Sequence, residues 1–211
     1  MLKTLRLALA VLCLCGFLLL FLFPGAAASV PALAWLARIQ LAPAVLAGSL
    51  VIAGAHLLCA LLFGRVYCSI VCPLGLLQDL AGRIVSLGLF RGHYRGPAHG
   101  RFRWAAIPAW PRTLVLLVSA AAFAAGMPLL LSLLEPYSLF GRMASTAAAA
   151  GQTLAAAAGA EPGAVRTAGV IPALSALVTL AVLIILVRRW GRVWCSTVCP
   201  VGAFLSWPAR L

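Results

Sequence analysis

Acidic side chains are almost missing from this sequence. Asp79, Glu135 and Glu161 are the 3 among 211 residues, and charged residues of both signs amount to 9%. Ordinary water-soluble chains carry roughly a quarter, so this one cannot cover a folded surface with charge. With 64% hydrophobic residues and a mean hydropathy of +1.12, the chain reads as a membrane protein. Methionine is scarce too. Met1, Met127 and Met143 are the 3 present, so no Met ladder runs through the apolar segments, which speaks against soft-metal transport. The C-x2-C-x2-C run that opens a bacterial ferredoxin motif is absent. The 7 cysteines do not make the framework of a small secreted domain, which argues against a disulfide scaffold.

What is present is a stretch that occurs twice. Gly64–Leu80 reads GRVYCSIVCPLGLLQDL and Gly191–Trp207 reads GRVWCSTVCPVGAFLSW, with nine identities in 17 ungapped positions and an offset of 127. A spaced cysteine pair that recurs with its neighbours marks an internal duplication. It holds Cys68, Cys72, Cys195 and Cys199.

Four apolar runs surround these motifs: Leu7–Phe23, Ala42–Phe63, Thr113–Leu134 and Ile171–Val187. Each is long enough to cross a bilayer as a helix at about 1.5 Å per residue. The first follows Lys3 and Arg6 and precedes Pro24 and small residues, as in a signal peptide. Its length favours a retained helix over the shorter apolar core of a signal. Ser29–Gln40 reads as an interfacial connector, residues 88–112 as a basic loop, and 143–158 as one short surface helix in an Ala-rich segment. Cys13, Cys15 and Cys59 lie inside apolar runs and read as packing or lipid-facing residues. His56 also lies inside a run. It reads either as an intramembrane functional group, a candidate for cofactor binding, or as a neutral histidine bonded to a neighbouring helix.

Thirteen of the 16 basic residues fall on the side of the motifs. The positive-inside rule then places both motifs and both termini in the cytoplasm, and it accounts for the net charge of +13 without nucleic acid. The expected fold is therefore all-α and polytopic: four transmembrane helices arranged as two parallel two-helix repeats, residues 1–112 and 113–211. Each repeat ends in a cytoplasmic GRxxCxxxCPxG motif.

Pro73 and Pro200 suit the first position of a new helix, which makes Cys72 and Cys199 N-caps. Thiols at helix N-termini, with Arg65 and Arg192 in support, are expected to ionise more readily than usual. Four thiolates on one membrane face suit an iron–sulfur cluster or a structural zinc. Buried thiols in a repeated turn would serve neither.

GRVYCSIVCPLGLLQD and GRVWCSTVCPVG resemble the paired motifs of a membrane-bound 4Fe–4S binding protein family. That family includes the quinol-oxidising membrane subunit of periplasmic nitrate reductase systems and the membrane part of the nitrous-oxide reductase maturation regulator. Glu135–Arg142 (EPYSLFGR) is similar to the family's acidic-Pro-Tyr-Ser segment. The resemblance implies a component of the bacterial inner membrane that passes electrons between quinol and ferredoxin-type centres. It implies a 4Fe–4S cluster on Cys68, Cys72, Cys195 and Cys199. Family members commonly continue into a cytoplasmic ferredoxin domain, and this sequence ends twelve residues after Cys199. The expected partners are membrane lipid, an acidic ferredoxin-type redox protein steered by Arg91, Arg95, Arg101 and Arg103, and a larger redox complex. The competing readings are copper handling by the thiolates, a thiol oxidase, and a structural anchor for a separate ferredoxin.

Overall fold

The computed structural model describes residues 2–23, 25, 30–64, 66–84, 110–127, 132–159, 169–190 and 193–206. They are helical, with no strand among them. Arg65, Arg192 and the basic loop with Arg91, Arg95, Arg101 and Arg103 lie outside the described residues.

The first apolar run forms α1 (Leu2–Leu22). Pro31 opens α2 (Pro31–Arg38), because a proline at the first turn gives up no helical hydrogen bond. The second run does not continue unbroken. It divides into α3 (Leu41–Leu46) and α4 (Leu50–Phe63). Gly48 between them has φ 71°, a left-handed conformation that costs glycine little. At 14 residues, α4 is about 21 Å long, short of the roughly 30 Å hydrocarbon core. The first motif supplies α5 (Val66–Ile70) and α6 (Pro73–Ile84). The third run is also shorter than expected: α7 (Trp110–Ala124) stops before Gly126, whose φ is 69°.

The Ala-rich segment differs most from expectation. It is a 22-residue helix, α8 (Pro136–Ala157), and its first half is a core element rather than a surface one. Leu139, Phe140, Gly141, Ala144, Ala148 and Ala149 are buried, and α8 packs on α1, α6 and α9. Small side chains let helices approach closely, and low complexity in the sequence concealed that role. The fourth run is α9 (Val170–Trp190), followed by α10 (Val193–Thr197) and α11 (Pro200–Ser206) from the second motif.

By length and composition, two of the described helices suffice to cross a membrane, Thr4–Leu22 and Val170–Val187, while α4 and α7 are shorter apolar helices. Large apolar side chains on α1, α4 and α9 point outward; Leu50 and Val51 are each 83% exposed. A belt of that kind suits lipid better than water. The two halves of the sequence interleave, since α6 of the first packs on α8 and α9 of the second, and α11 of the second packs on α4 of the first.

Two buried clusters hold these helices together. Phe17 and Phe21 of α1 meet Tyr137 and Phe140 of α8, with ring centroids 5.3 to 6.3 Å apart. The other cluster contains Cys68, Cys72 and Cys199, together with Leu41, Ala60, Leu74, Leu139, Leu183, Val201 and Leu205. It draws on both repeats and is the centre of the molecule.

Candidate metal centre

The two cysteine motifs fold into the same local structure. In the first, the Val71 and Cys72 amides both donate to the Tyr67 carbonyl, at 3.0 and 2.9 Å, which closes α5. In the second, Val198 and Cys199 both donate to the Trp194 carbonyl at 3.0 Å. Each chain then turns at the second cysteine, whose carbonyl accepts the next helical bond, from Leu76 at 3.1 Å or from Ala203 at 2.9 Å. Cys72 and Cys199 are thus the N-caps expected from the prolines behind them.

The glycine three residues on has a specific task in each copy. A Cβ on Gly75 would collide with the carbonyl oxygen of Cys68, and a Cβ on Gly202 with that of Cys195. The helix after each motif therefore lies directly on the backbone of its first cysteine, a closeness that only glycine permits.

All four motif cysteines are buried, and none of them is in a disulfide. Cys68 and Cys199 are near enough to Cys72 to raise its pKa, and Cys68 is near enough to raise that of Cys199. The fourth, Cys195, lies with its Sγ 3.7 Å from Oε1 of Gln78, a residue of the first repeat. The backbone amides of Leu74 and Gly75 donate toward Cys72, and those of Val201 and Gly202 toward Cys199, the Gly202 bond being 3.4 Å.

The expectation of readily ionised thiols is not met. Burial pushes Cys72 well above the ordinary thiol range, and it pushes Cys199 up to about 12. The helix N-termini and their amide donors act in the predicted direction, but the loss of hydration outweighs them. A metal cation that binds such a thiol must displace its proton.

The surroundings of the motifs also differ from expectation. Gln40 and Leu41 precede the second apolar run and Glu135 follows the third, so the sequence sets them a membrane thickness from the cysteines. In the structure the Tyr67 hydroxyl donates to Gln40 Oε1 at 2.7 Å and accepts from the Leu41 amide at 3.2 Å. Glu135 is close enough to raise the Cys199 pKa, and Leu139 packs in the cysteine cluster. The physical reason is that the first motif folds back alongside α4 instead of lying beyond its end. The His56 ring, in the middle of α4, stands edge-on to Tyr67 at 4.8 Å. His56 itself is tied to its own helix, with Nδ1 2.7 Å from the Ile52 carbonyl oxygen. It neighbours the motif through Tyr67, and its bond runs within α4 rather than to a neighbouring helix.

Glu135 is buried, and its Oε1 has no hydrogen-bond partner. Desolvation raises its pKa to about 7. Gln40, Tyr67, Gln78 and Glu135 are the polar groups around the thiols that reading the sequence did not select. Tyr67 and Gln78 lie inside the duplicated stretch and Glu135 opens the EPYSLFGR segment, whereas Gln40 carried no signal. Cys13 packs partly buried against the aromatic cluster, and Cys15 and Cys59 are exposed, in keeping with packing and lipid-facing roles.

The donor set fits an iron–sulfur cluster by its chemistry: four thiols, sheltered from water, with backbone N–H groups directed at sulfur. Among the described residues, no three His, Cys, Asp or Glu side chains form a group that holds one metal ion.

No curated protein and no solved structure matches the chain significantly. Residues 45–95 and 170–211 match the family described as 4Fe-4S binding domain. Each matched stretch contains one copy of the cysteine motif, so the chain is similar to iron–sulfur proteins in the two places where its buried thiols lie, and the cofactor that this match and the donor set together support is a 4Fe–4S cluster.

Proposed function

We propose that the chain is a membrane electron-transfer protein in which Cys68, Cys72, Cys195 and Cys199 together hold one 4Fe–4S cluster. The observation that carries this reading is the meeting of Cys68 and Cys72 with Cys199 in one buried core, across the two matched regions. A bound 4Fe–4S cluster supplies one-electron transfer at a potential set by its surroundings.

The protein's own groups have defined tasks around it. The amides of Leu74, Gly75, Val201 and Gly202 direct hydrogen bonds at the thiolates and offset part of their negative charge. Gly75 and Gly202 hold each helix N-terminus against the first cysteine of its motif. Leu74, Leu139 and Leu205 exclude water from the thiols. Glu135, beside Cys199, holds a proton at its buried carboxyl up to about neutral pH.

Quinol is the proposed electron donor and an acidic ferredoxin-type protein the proposed acceptor. The apolar exterior supports a lipid-soluble donor. So does an open groove between α6 and α9, about 190 Å³ in volume and lined by Gln78 among aliphatic side chains. The arginine-rich loop supports an acidic acceptor, attracted less strongly as salt rises. The bacterial inner membrane, with both termini cytoplasmic, is the proposed location. Reduced protein purified without oxygen is expected to show the paramagnetic signal of a [4Fe–4S]+ centre. A thiol-bound copper or zinc content in its place would reject the reading.

A further inference from the structure

Gln78 is a polar side chain that joins the two repeats at the thiols. It is 3% exposed, on α6 of the first repeat, and its Oε1 faces Sγ of Cys195 in the second repeat at 3.7 Å. Its amide nitrogen is enclosed and has no hydrogen-bond partner. The rest of the groove that Gln78 lines is aliphatic, from Leu77 and Leu80 on α6 to Leu183 and Val187 on α9. A buried amide with an idle N–H is costly unless some state of the protein uses it.

In the free protein the arrangement suits a thiol, whose S–H donates to Oε1. A ligating cysteine has lost that proton, and a carbonyl oxygen facing a thiolate is repelled. A half-turn of the amide exchanges oxygen for nitrogen within the same volume. The idle N–H then has an acceptor and the thiolate has a donor. We propose that Gln78 is a positioning residue for the metal centre, donating a side-chain N–H to the Cys195 thiolate and so raising the potential at which the centre accepts an electron.

This rests on the cluster reading. The direction of the effect follows from charge. Reduction adds negative charge to the centre, and a hydrogen bond to sulfur stabilises the more negative state. The device belongs to one half only, since the equivalent position in the second repeat is Leu205.

The test is a redox titration, followed by paramagnetic resonance, of the purified full chain and of Gln78→Leu and Gln78→Met. Both substitutions remove the donor and keep the space filled. Each is expected to lower the midpoint potential, on the order of a tenfold change in the reduced-to-oxidised ratio at fixed potential, about 59 mV for one electron. Substituted protein that keeps its iron and titrates at the unsubstituted potential overturns the proposal. So does full recovery of the unsubstituted potential by Met alone, which would mean that packing was the whole effect. If both apolar variants fold with normal helicity but fail to keep iron, the amide is needed to hold the thiolate, which supports the proposal. Unsubstituted protein without iron and sulfide would instead reject the cluster reading itself.

Discussion

Each motif carries its demands in a few atoms. Gly75 and Gly202 occupy equivalent places, and in both a methyl group would strike the carbonyl of the first cysteine. Gly75→Ala and Gly202→Ala should each cost about 1–3 kcal/mol, the range for overpacked interiors, and should lower iron content in parallel, measured by thermal unfolding in detergent and metal analysis. A cost in only one of the two would break their equivalence. The cysteines should act as one unit: Cys72→Ser and Cys199→Ser are each expected to abolish the same paramagnetic signal, whereas half-loss in each would mean two centres. Glu135 gives a pH dependence. Its carboxyl has a pKa of about 7 in the folded protein, above the ordinary 4.5. Below pH 4.5 it is protonated folded or unfolded, and stability does not change. Between about 4.5 and 7 only the unfolded chain releases the proton, so stability falls as pH rises, by about 3 kcal/mol in full, and is level again above. Metal-free protein should therefore unfold more readily at pH 8 than at pH 5, and Glu135→Gln should remove that difference. An unchanged difference in Glu135→Gln would show that another group is responsible.

At the scale of the element, the motif helices were legible because proline and cysteine constrain so few conformations. Cys72–Pro73 and Cys199–Pro200 had to begin helices, and the structure closes and opens helices at those residues. The fold-back of the first motif was not legible. Hydropathy gives the length of an apolar run but not where the following segment packs, so Gln40 and Tyr67 looked far apart although they share a 2.7 Å hydrogen bond. Gly48 and Gly126 broke two runs that looked continuous, because an isolated glycine in an apolar stretch does not reveal its φ. The Ala-rich α8 was obscured for a different reason: alanine suits a surface helix and a tightly packed one equally. The Tyr67 contact carries a testable cost. Tyr67→Phe removes the bond to Gln40 and leaves the buried Leu41 amide without its acceptor, a loss of about 1–3 kcal/mol. Thermal unfolding in detergent measures it, and a variant as stable as the parent would show that the bond does not anchor the motif.

On the scale of the whole molecule, two halves that are each incomplete meet at the thiols. Neither repeat alone supplies more than two motif thiols, and the core that shelters them takes Leu74 from the first and Val201 and Leu205 from the second. The duplication was visible in the sequence, and so was the class of donor. Their convergence was an expectation from symmetry, because nothing in a linear spacing of 127 residues brings Cys68 to Cys199. Sidedness rests on the distribution of arginine, and reporter fusions after Leu87 and after Leu211 should both report the cytoplasm; a periplasmic result for either would reject that topology. The central claim is that the four buried thiols hold one cluster. Its most direct measurement is iron and acid-labile sulfide per chain in protein purified without oxygen. Both near four per chain, and both lost together in Cys199→Ser, is the predicted result. Zinc or copper in place of iron, or iron that survives the loss of Cys199, would contradict it.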